Sequence, residues 1–396
     1  MNVLFLTHRL PYAPNRGDRV RAYFLLRELR SCANVTLVSL VHDEEEARHA
    51  ESMRDLVSAT YVVDVPGWRN RLRSLAALPT QRPTSHTMLD APALRPTIAA
   101  AVAEAAPGVV FAYCTGIAHC VLDPPLAGLP LVLDMVDVDS AKWADLAAVA
   151  RWPLSSIYRR ETRTLRAFEA EISTRAAATL VTTEREAGTL RSIAPDARID
   201  VVQNGIDVAS LRPQTPPSPS SDVVFCGVMN YAPNEQAVRW LARDIWPLVR
   251  ARRADATLTI VGSHPTRAIR ALASERDGIR VTGAVPDVRP YLWRAAVAVA
   301  PILTARGIQN KVLESVAAGL PTIVTPNIMS SLPREITDAC RAAETAAALA
   351  DAIVDALGRS PEQRRRLAAQ AHVDALTWER QLSTVPAILA EAAGRR

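Results

Sequence analysis

Residues 297–325 read VAVAPILTARGIQNKVLESVAAGLPTIVT, and their pattern decides the fold. Val297 to Leu303 is a short apolar run without helical spacing, which predicts a buried strand. Thr304 to Gly307 makes a loop, Ile308 to Ala318 predicts a helix, and Gly319 followed by Pro321 stops it. Thr322 to Val324 opens the next buried strand. Strand, loop, helix and strand in this order make a βαβ unit. Its loop and helix N-terminus lie at the carboxyl edge of a parallel sheet, where open α/β sheets bind ligands.

The chemistry of the loop suits a phosphorylated ligand. Gly307 lets backbone approach closely. The start of the helix offers free N–H groups and the positive end of its dipole, with Arg306 and Lys311 beside it. Glu314 follows on the Lys311 face one turn later and can accept two hydroxyl protons, as a carboxylate does from a ribose. Cations, helix end and carboxylate match a diphosphate followed by a ribose. The same residues also fit a surface arginine, a surface lysine and an i,i+3 ion pair.

Here the chain resembles the GT-B glycosyltransferases of family-4 type. Their signature pairs one Glu with a second further on, then a small-residue helix end and G-x-P. The second Glu matches Glu314, and Gly319 and Pro321 match the G-x-P. The first falls on Arg306, a departure at a position the family links to the transferred sugar. The run ARGIQNKVLE is similar to the sugar transferases associated with exosortase (PEP-CTERM) systems. The resemblance implies an α/β protein of GT-B fold, two doubly wound Rossmann-like domains facing across a cleft. It implies transfer of a sugar from a nucleotide diphosphate sugar to a hydroxyl acceptor, with retention and no bound metal or cofactor. It further implies a role in exopolysaccharide biosynthesis, with a lipid-linked glycan acceptor at the inner membrane surface and no nucleic-acid partner.

Length and composition agree with this scale. The 396 residues are 49% hydrophobic, enough for two cores. The net charge of +5 comes almost entirely from arginine, since Lys142 and Lys311 are the only lysines. It permits an acidic partner without requiring one. The five cysteines, Cys32, Cys114, Cys120, Cys226 and Cys340, are scattered without C-x-x-C spacing. That argues against a disulfide framework or a zinc site and for a reducing compartment. The N-terminus enters a strand at once, and no apolar run reaches the ~20 residues that span a bilayer. The expectation is a cytoplasmic protein, peripheral at the inner membrane.

Along the chain, NVLFLT predicts the first strand, and Gly17 in the loop after it faces a phosphate or acceptor, with Arg19 and Arg21 able to serve the same charge. An ordinary first βα turn fits equally, and no G-x-G-x-x-G is present, so the dinucleotide fingerprint is missing. Asp134, Asp137 and Asp139 gather at a strand end, where loose carboxylates can bind Mg²⁺, act as a base or cap the next helix through Asp139 or Ser140. Asp137 is the first choice for a catalytic residue; His119, which fits simple packing too, is the second. Residues 144–173 predict a helix interrupted at Pro153, with a basic face that fits either an anionic lipid surface or solvated Arg/Glu pairs. Asn204-Gly205 predicts a turn with positive φ. By resemblance, Gly205 lies near the donor phosphates, and Gly283 and Val285 sit in a base-contacting loop.

The family's basic pair on the donor diphosphate is missing near Asn230, Tyr231 and Asn234, which assigns that charge to Arg306 and Lys311. The Pro/Ser run at 212–222 predicts a linker. The expected organisation is an acceptor domain over 1–211, a nucleotide-sugar domain over 223–375, and a C-terminal helix over 376–396 that crosses back, anchored by Trp378. Two other functions share the two-domain fold: a nucleotide-sugar 2-epimerase and a non-catalytic nucleotide-binding protein. A nicotinamide dehydrogenase lacks its glycine fingerprint.

Overall fold

The computed structural model describes residues 1–12, 17–216, 218–304 and 309–394, with the backbone alone of 17 and 18. The chain divides into two compact units, Met1–Gln203 with Gln381–Arg396, and Asn204–Arg380.

The first unit holds seven strands: β1 (Asn2–Thr7), β2 (Asn34–Val41), β3 (Ala59–Asp64), β4 (Val109–Tyr113), β5 (Leu131–Val136), β6 (Ala178–Val181) and β7 (Ile199–Val201). They pair in parallel in the order β3-β2-β1-β4-β5-β6-β7. Strands buried on both faces lose the in–out alternation of residue types, which is why β1, β4 and β5 read as continuous apolar runs. Leu4, Leu6, Val110, Leu133 and Val181 form the centre of this core. The helix Val385–Ala393 belongs to this unit and packs on β4, β5 and the helix Gly17–Leu29, with Arg198 paired to Glu391 at 2.7 Å.

The second unit holds β8 (Asp222–Cys226), β9 (Thr257–Val261), β10 (Ile279–Val281), β11 (Val297–Ala300), β12 (Thr322–Val324) and β13 (Cys340–Ala342). Their parallel order is β10-β9-β8-β11-β12-β13. The central βαβ unit expected from residues 297–325 is present as β11, the helix Asn310–Ala317 and β12. In both sheets the winding reverses beside the first strand of the unit, between β1 and β4 and between β8 and β11.

Two expectations of organisation are corrected. The run 212–222 is not a free linker, and the boundary falls earlier, at Gln203/Asn204. Ile206, Val208 and Leu211 enter the second core. Just before the run, Leu211 O accepts from Trp293 Nε1 (2.7 Å), and within it the carbonyls of Thr215 and Ser220 accept from Arg365 (3.2 Å) and Arg364 (3.0 Å), so these residues are held to that unit. Gly205 is not a positive-φ turn either; the positive-φ glycines among the described residues are 262, 278, 283 and 319. Its requirement for glycine comes from close approach. A Cβ there would lie 2.4 Å from Trp378 Cα and 2.5 Å from Trp378 N, where Ile206 N donates to Leu376 O at 2.8 Å. Trp378 is therefore a buried member of the second unit rather than an anchor on the first. Backbone cannot swing aside as a side chain can. Gly205→Ala should cost about 3 kcal/mol of unfolding free energy, read as a shift of the second unit's urea midpoint; an unchanged midpoint would show that Trp378 yields.

Candidate active site

At the reversal point of the second sheet, two glycines make room for a cation. Gly262 follows β9 with φ +156°, and a Cβ on it would fall 1.6 Å from Gly227 O, so the ends of β8 and β9 touch backbone to backbone. Gly227 N donates to Val261 O (3.0 Å) and Gly262 N to Gly283 O (3.2 Å), which brings the loop after β10 to the same corner. A Cβ on Gly227 would meet Asn234 Nδ2 at 2.8 Å and Lys311 Nζ at 3.1 Å.

Asn234 and Lys311 fill that space. Asn234 is buried, and its Nδ2 donates to Val228 O at 2.9 Å, which fixes its amide so that Oδ1 faces Lys311 and accepts from Nζ. The ammonium stands 5.0 Å from the centre of the Phe225 ring. Burial lowers the Lys311 pKa to about 8, although the Cys226 and Glu314 groups pull the other way. Glu314, one turn on, is pushed by burial up to about 7, with Lys311 opposing. Burial also pushes the Cys226 thiol, at the end of β8, to about 12. At the helix start, Asn310 Oδ1 is buried without a hydrogen-bond partner among the described residues.

Lys311, Glu314 and Gly283 thus share one sheet edge, and Val285, half-buried against the core, follows Gly283 on the same loop. Gly205 has its own packing role against Trp378. Arg306 and Gly307 lie outside the described residues. Asn234 was read only as a missing base. Its partnership with Lys311 spans 77 positions of sequence, and the signal that could have found it is the glycine after each of two buried strands.

In the first unit, Gly17 opens its helix, but Arg19 and Arg21 point inward and are committed. Arg19 pairs with buried Glu46 and lies 4.3 Å from the Tyr12 ring centre. Arg21 Nε donates to the buried Asp134 carboxylate at 2.8 Å. The expectation that they supply ligand charge is corrected by these pairs. Asp137 is partly exposed beyond β5, accepting from Thr182 Oγ1 (3.2 Å) and facing Lys142 Nζ (3.2 Å), which also reaches Asp139 at 3.3 Å. Burial would lower the Lys142 pKa, but the two carboxylates outweigh it and hold it well above the usual range. A lysine therefore stands among the loose carboxylates, where a metal ion was one expectation.

Neither Asp139 nor Ser140 caps the helix Asp139–Val149 with its side chain. Distant carboxylates satisfy its free amides instead, Glu186 on Val138 N (2.7 Å) and Glu169 on Ser140 N (2.9 Å). His119 follows β4, stacked on His86 at 5.7 Å, with Nδ1 on Gly116 O (3.0 Å) and Nε2 3.6 Å from Cys120 Sγ. Burial lowers its pKa.

The architecture is that of the GT-B fold: two parallel doubly wound sheets with interleaved helices. Sucrose-phosphate synthase from Thermosynechococcus elongatus superposes with a TM-score of 0.73 at 17% identity over 100% of both chains. HepE from Anabaena in complex with UDP gives 0.66 at 13% identity, covering 99% of this chain and 100% of its own. WaaG, described as a glycosyltransferase involved in lipopolysaccharide biosynthesis, gives 0.66 at 16% over 98% and 99%. Residues 220–359 match the family model "Glycosyl transferases group 1", which takes in β8 to β13 and the whole Asn234–Lys311–Glu314 corner. No curated protein sequence matches the chain. No helix of the described residues is long and apolar enough to cross a membrane.

Proposed function

We propose that the protein is a glycosyltransferase that takes a sugar from a UDP-type nucleotide sugar and passes it to a hydroxyl of a lipid-linked acceptor. The observation that carries this is the Lys311–Asn234 pair with Glu314 one turn away, at the reversal point of a GT-B sheet. HepE has been solved with UDP and with UDP-glucose, which favours uridine among the nucleotides. Departure of the nucleotide gathers negative charge on a diphosphate. Lys311 and the amides at the helix start supply fixed positive potential for that charge, and Arg306 would add to it. Glu314 takes the ribose hydroxyls. Transfer proceeds with retention and without a bound metal, in assembly of an exopolysaccharide of the exosortase-associated type, at the inner membrane surface. Asp137 is the group offered to the acceptor.

The presence of Arg306 where the family pattern has Glu favours one rival, a protein that binds the nucleotide sugar without turning it over. The two separate in one assay. The enzyme incubated with UDP-sugars and an extract of bacterial lipid intermediates should release UDP, and Glu314→Ala should release less than a tenth as much. Binding of the donor by calorimetry with no UDP released would decide for the rival. Donor conversion to an epimer without acceptor would decide for an epimerase.

A further inference from the structure

The first unit carries an apolar and cationic surface that its fold leaves uncovered. The helices Asp139–Val149 and Leu154–Arg175 form a hairpin that starts where β5 ends, at the carboxyl edge. Glu169 of the returning helix meets Ser140 there. The part from 154 to 164, on the order of 15 Å at 1.5 Å per residue, therefore leads from that edge to the tip of the hairpin. Its tip exposes Val149 (81%), Trp152 (82%) and Leu154 (50%). A second helix, Gly67–Ala77, is tied to the hairpin through Arg160, whose guanidinium donates to the carbonyls of Ala77 (2.8 Å) and Leu78 (3.0 Å). Glu161 clamps the following segment through the amides and hydroxyls of Thr84 and Ser85.

On that second helix Trp68 (67%), Leu72 and Leu75 are exposed at i, i+4 and i+7, one stripe along one face. Arg71 flanks the stripe on one side and Arg69 and Arg73 on the other, by helical spacing. The charge is one-signed. Val65 to Leu89 contains four arginines and no acid, and Leu146 to Arg160 three arginines and no acid. Exposed tryptophans and leucines ringed by arginines match a layer that is apolar inside and anionic outside. The other reading of this basic face, a solvated helix held by Arg/Glu pairs, holds at Arg160, which faces Glu161 at 3.0 Å, and Arg82 likewise faces Asp90 at 2.5 Å; Arg69, Arg71, Arg73, Arg151 and Arg159 form no ion pair with a carboxylate among the described residues.

We infer that this surface, Trp68, Leu72 and Leu75 with the Val149–Trp152–Leu154 tip, docks the protein on an anionic phospholipid bilayer. The inference extends the acceptor side of the proposed function, and its test contains no nucleotide, so its failure leaves the donor site standing. The full chain is sedimented with vesicles of phosphatidylcholine alone and of phosphatidylcholine mixed with phosphatidylglycerol. It should pellet with the mixed vesicles and stay in solution with the neutral ones. The pair Trp68→Ser and Trp152→Ser should bind on the order of tenfold more weakly at unchanged melting temperature. Replacing Arg69, Arg71 and Arg73 by Gln should remove the preference for anionic lipid. Wild type that stays in solution with the mixed vesicles overturns the inference. So does vesicle binding untouched by the tryptophan pair, which would move the contact elsewhere. Poly-glutamate that strips the protein from vesicles, yet is bound as tightly by the tryptophan pair as by wild type, would make the partner an acidic protein and overturn it too.

Discussion

Lys311→Met should weaken binding of a UDP-sugar by on the order of 100-fold, the scale of a charged partner lost from a desolvated anion site. The stability of the unit should move by only about 1 kcal/mol, because two effects oppose each other. Asn234 Oδ1 loses its donor, while a half-buried ammonium no longer has to be desolvated. The pH dependence is specific to this pair. Below about 7 the free protein carries Glu314 protonated, so binding of the ribose must expel a proton. Above about 8 Lys311 is neutral, so binding of the diphosphate must take one up. Affinity for a UDP-sugar, whose diphosphate does not titrate in this range, should peak between about 7 and 8 and fall on either side. Glu314→Gln should remove the acid limb and keep the alkaline one. For folding without ligand the signs are opposite. Stability from Glu314 is full below its ordinary 4.5 and lost as pH rises through about 7, and that from Lys311 is full above 10.5 and lost as pH falls through about 8. Calorimetry across this range measures both; a flat profile, or full affinity in Lys311→Met, would remove the pair from the donor site.

The strands were legible because parallel sheets with both faces covered leave uninterrupted apolar runs, and β1, β8 and β11 are such runs. Helix ends were legible where the capping residue is local, as with Thr183 on Glu186 N at 3.1 Å. They were not legible where the cap comes from far away. Glu169 and Glu186 reach the start of the Asp139–Val149 helix from other elements, and neither is marked by its neighbours in sequence. The same holds for Asn234, an ordinary polar residue until two glycines bring its element to Lys311, whose charge the sequence did mark. The Pro/Ser run misled for a related reason. Its composition reports only that it forms no regular structure, and the two arginines that hold its carbonyls lie in a distant helix.

Arg19 and Arg21 carry this lesson into energetics, because a cation in a loop-to-helix stretch looks like a ligand group until its partner is located. Asp134 is completely buried at the end of β5. One of its oxygens takes Val136 N (3.1 Å) and the other Arg21 Nε (2.8 Å), while Arg21 NH1 also holds Gln203 O (3.2 Å) where the first unit ends. Arg21→Met should therefore cost the first unit roughly 3–5 kcal/mol at neutral pH, since a lone carboxylate remains in the interior. Burial already raises the Asp134 pKa and Arg21 pulls it back, so without Arg21 it climbs further. A carboxyl raised in the folded state contributes stability below its ordinary 3.8 and loses it as pH rises, so the deficit of Arg21→Met should shrink on acidification. Asp134→Asn in the Arg21→Met background should recover much of the loss at neutral pH, because a neutral amide can keep the bond to Val136 N without a charge to desolvate. Urea denaturation of the full chain at several pH values reads the first unit's transition. A deficit independent of pH, or no recovery in the double variant, would mean that Arg21 acts through packing and its bond to Gln203 rather than through the charge of Asp134.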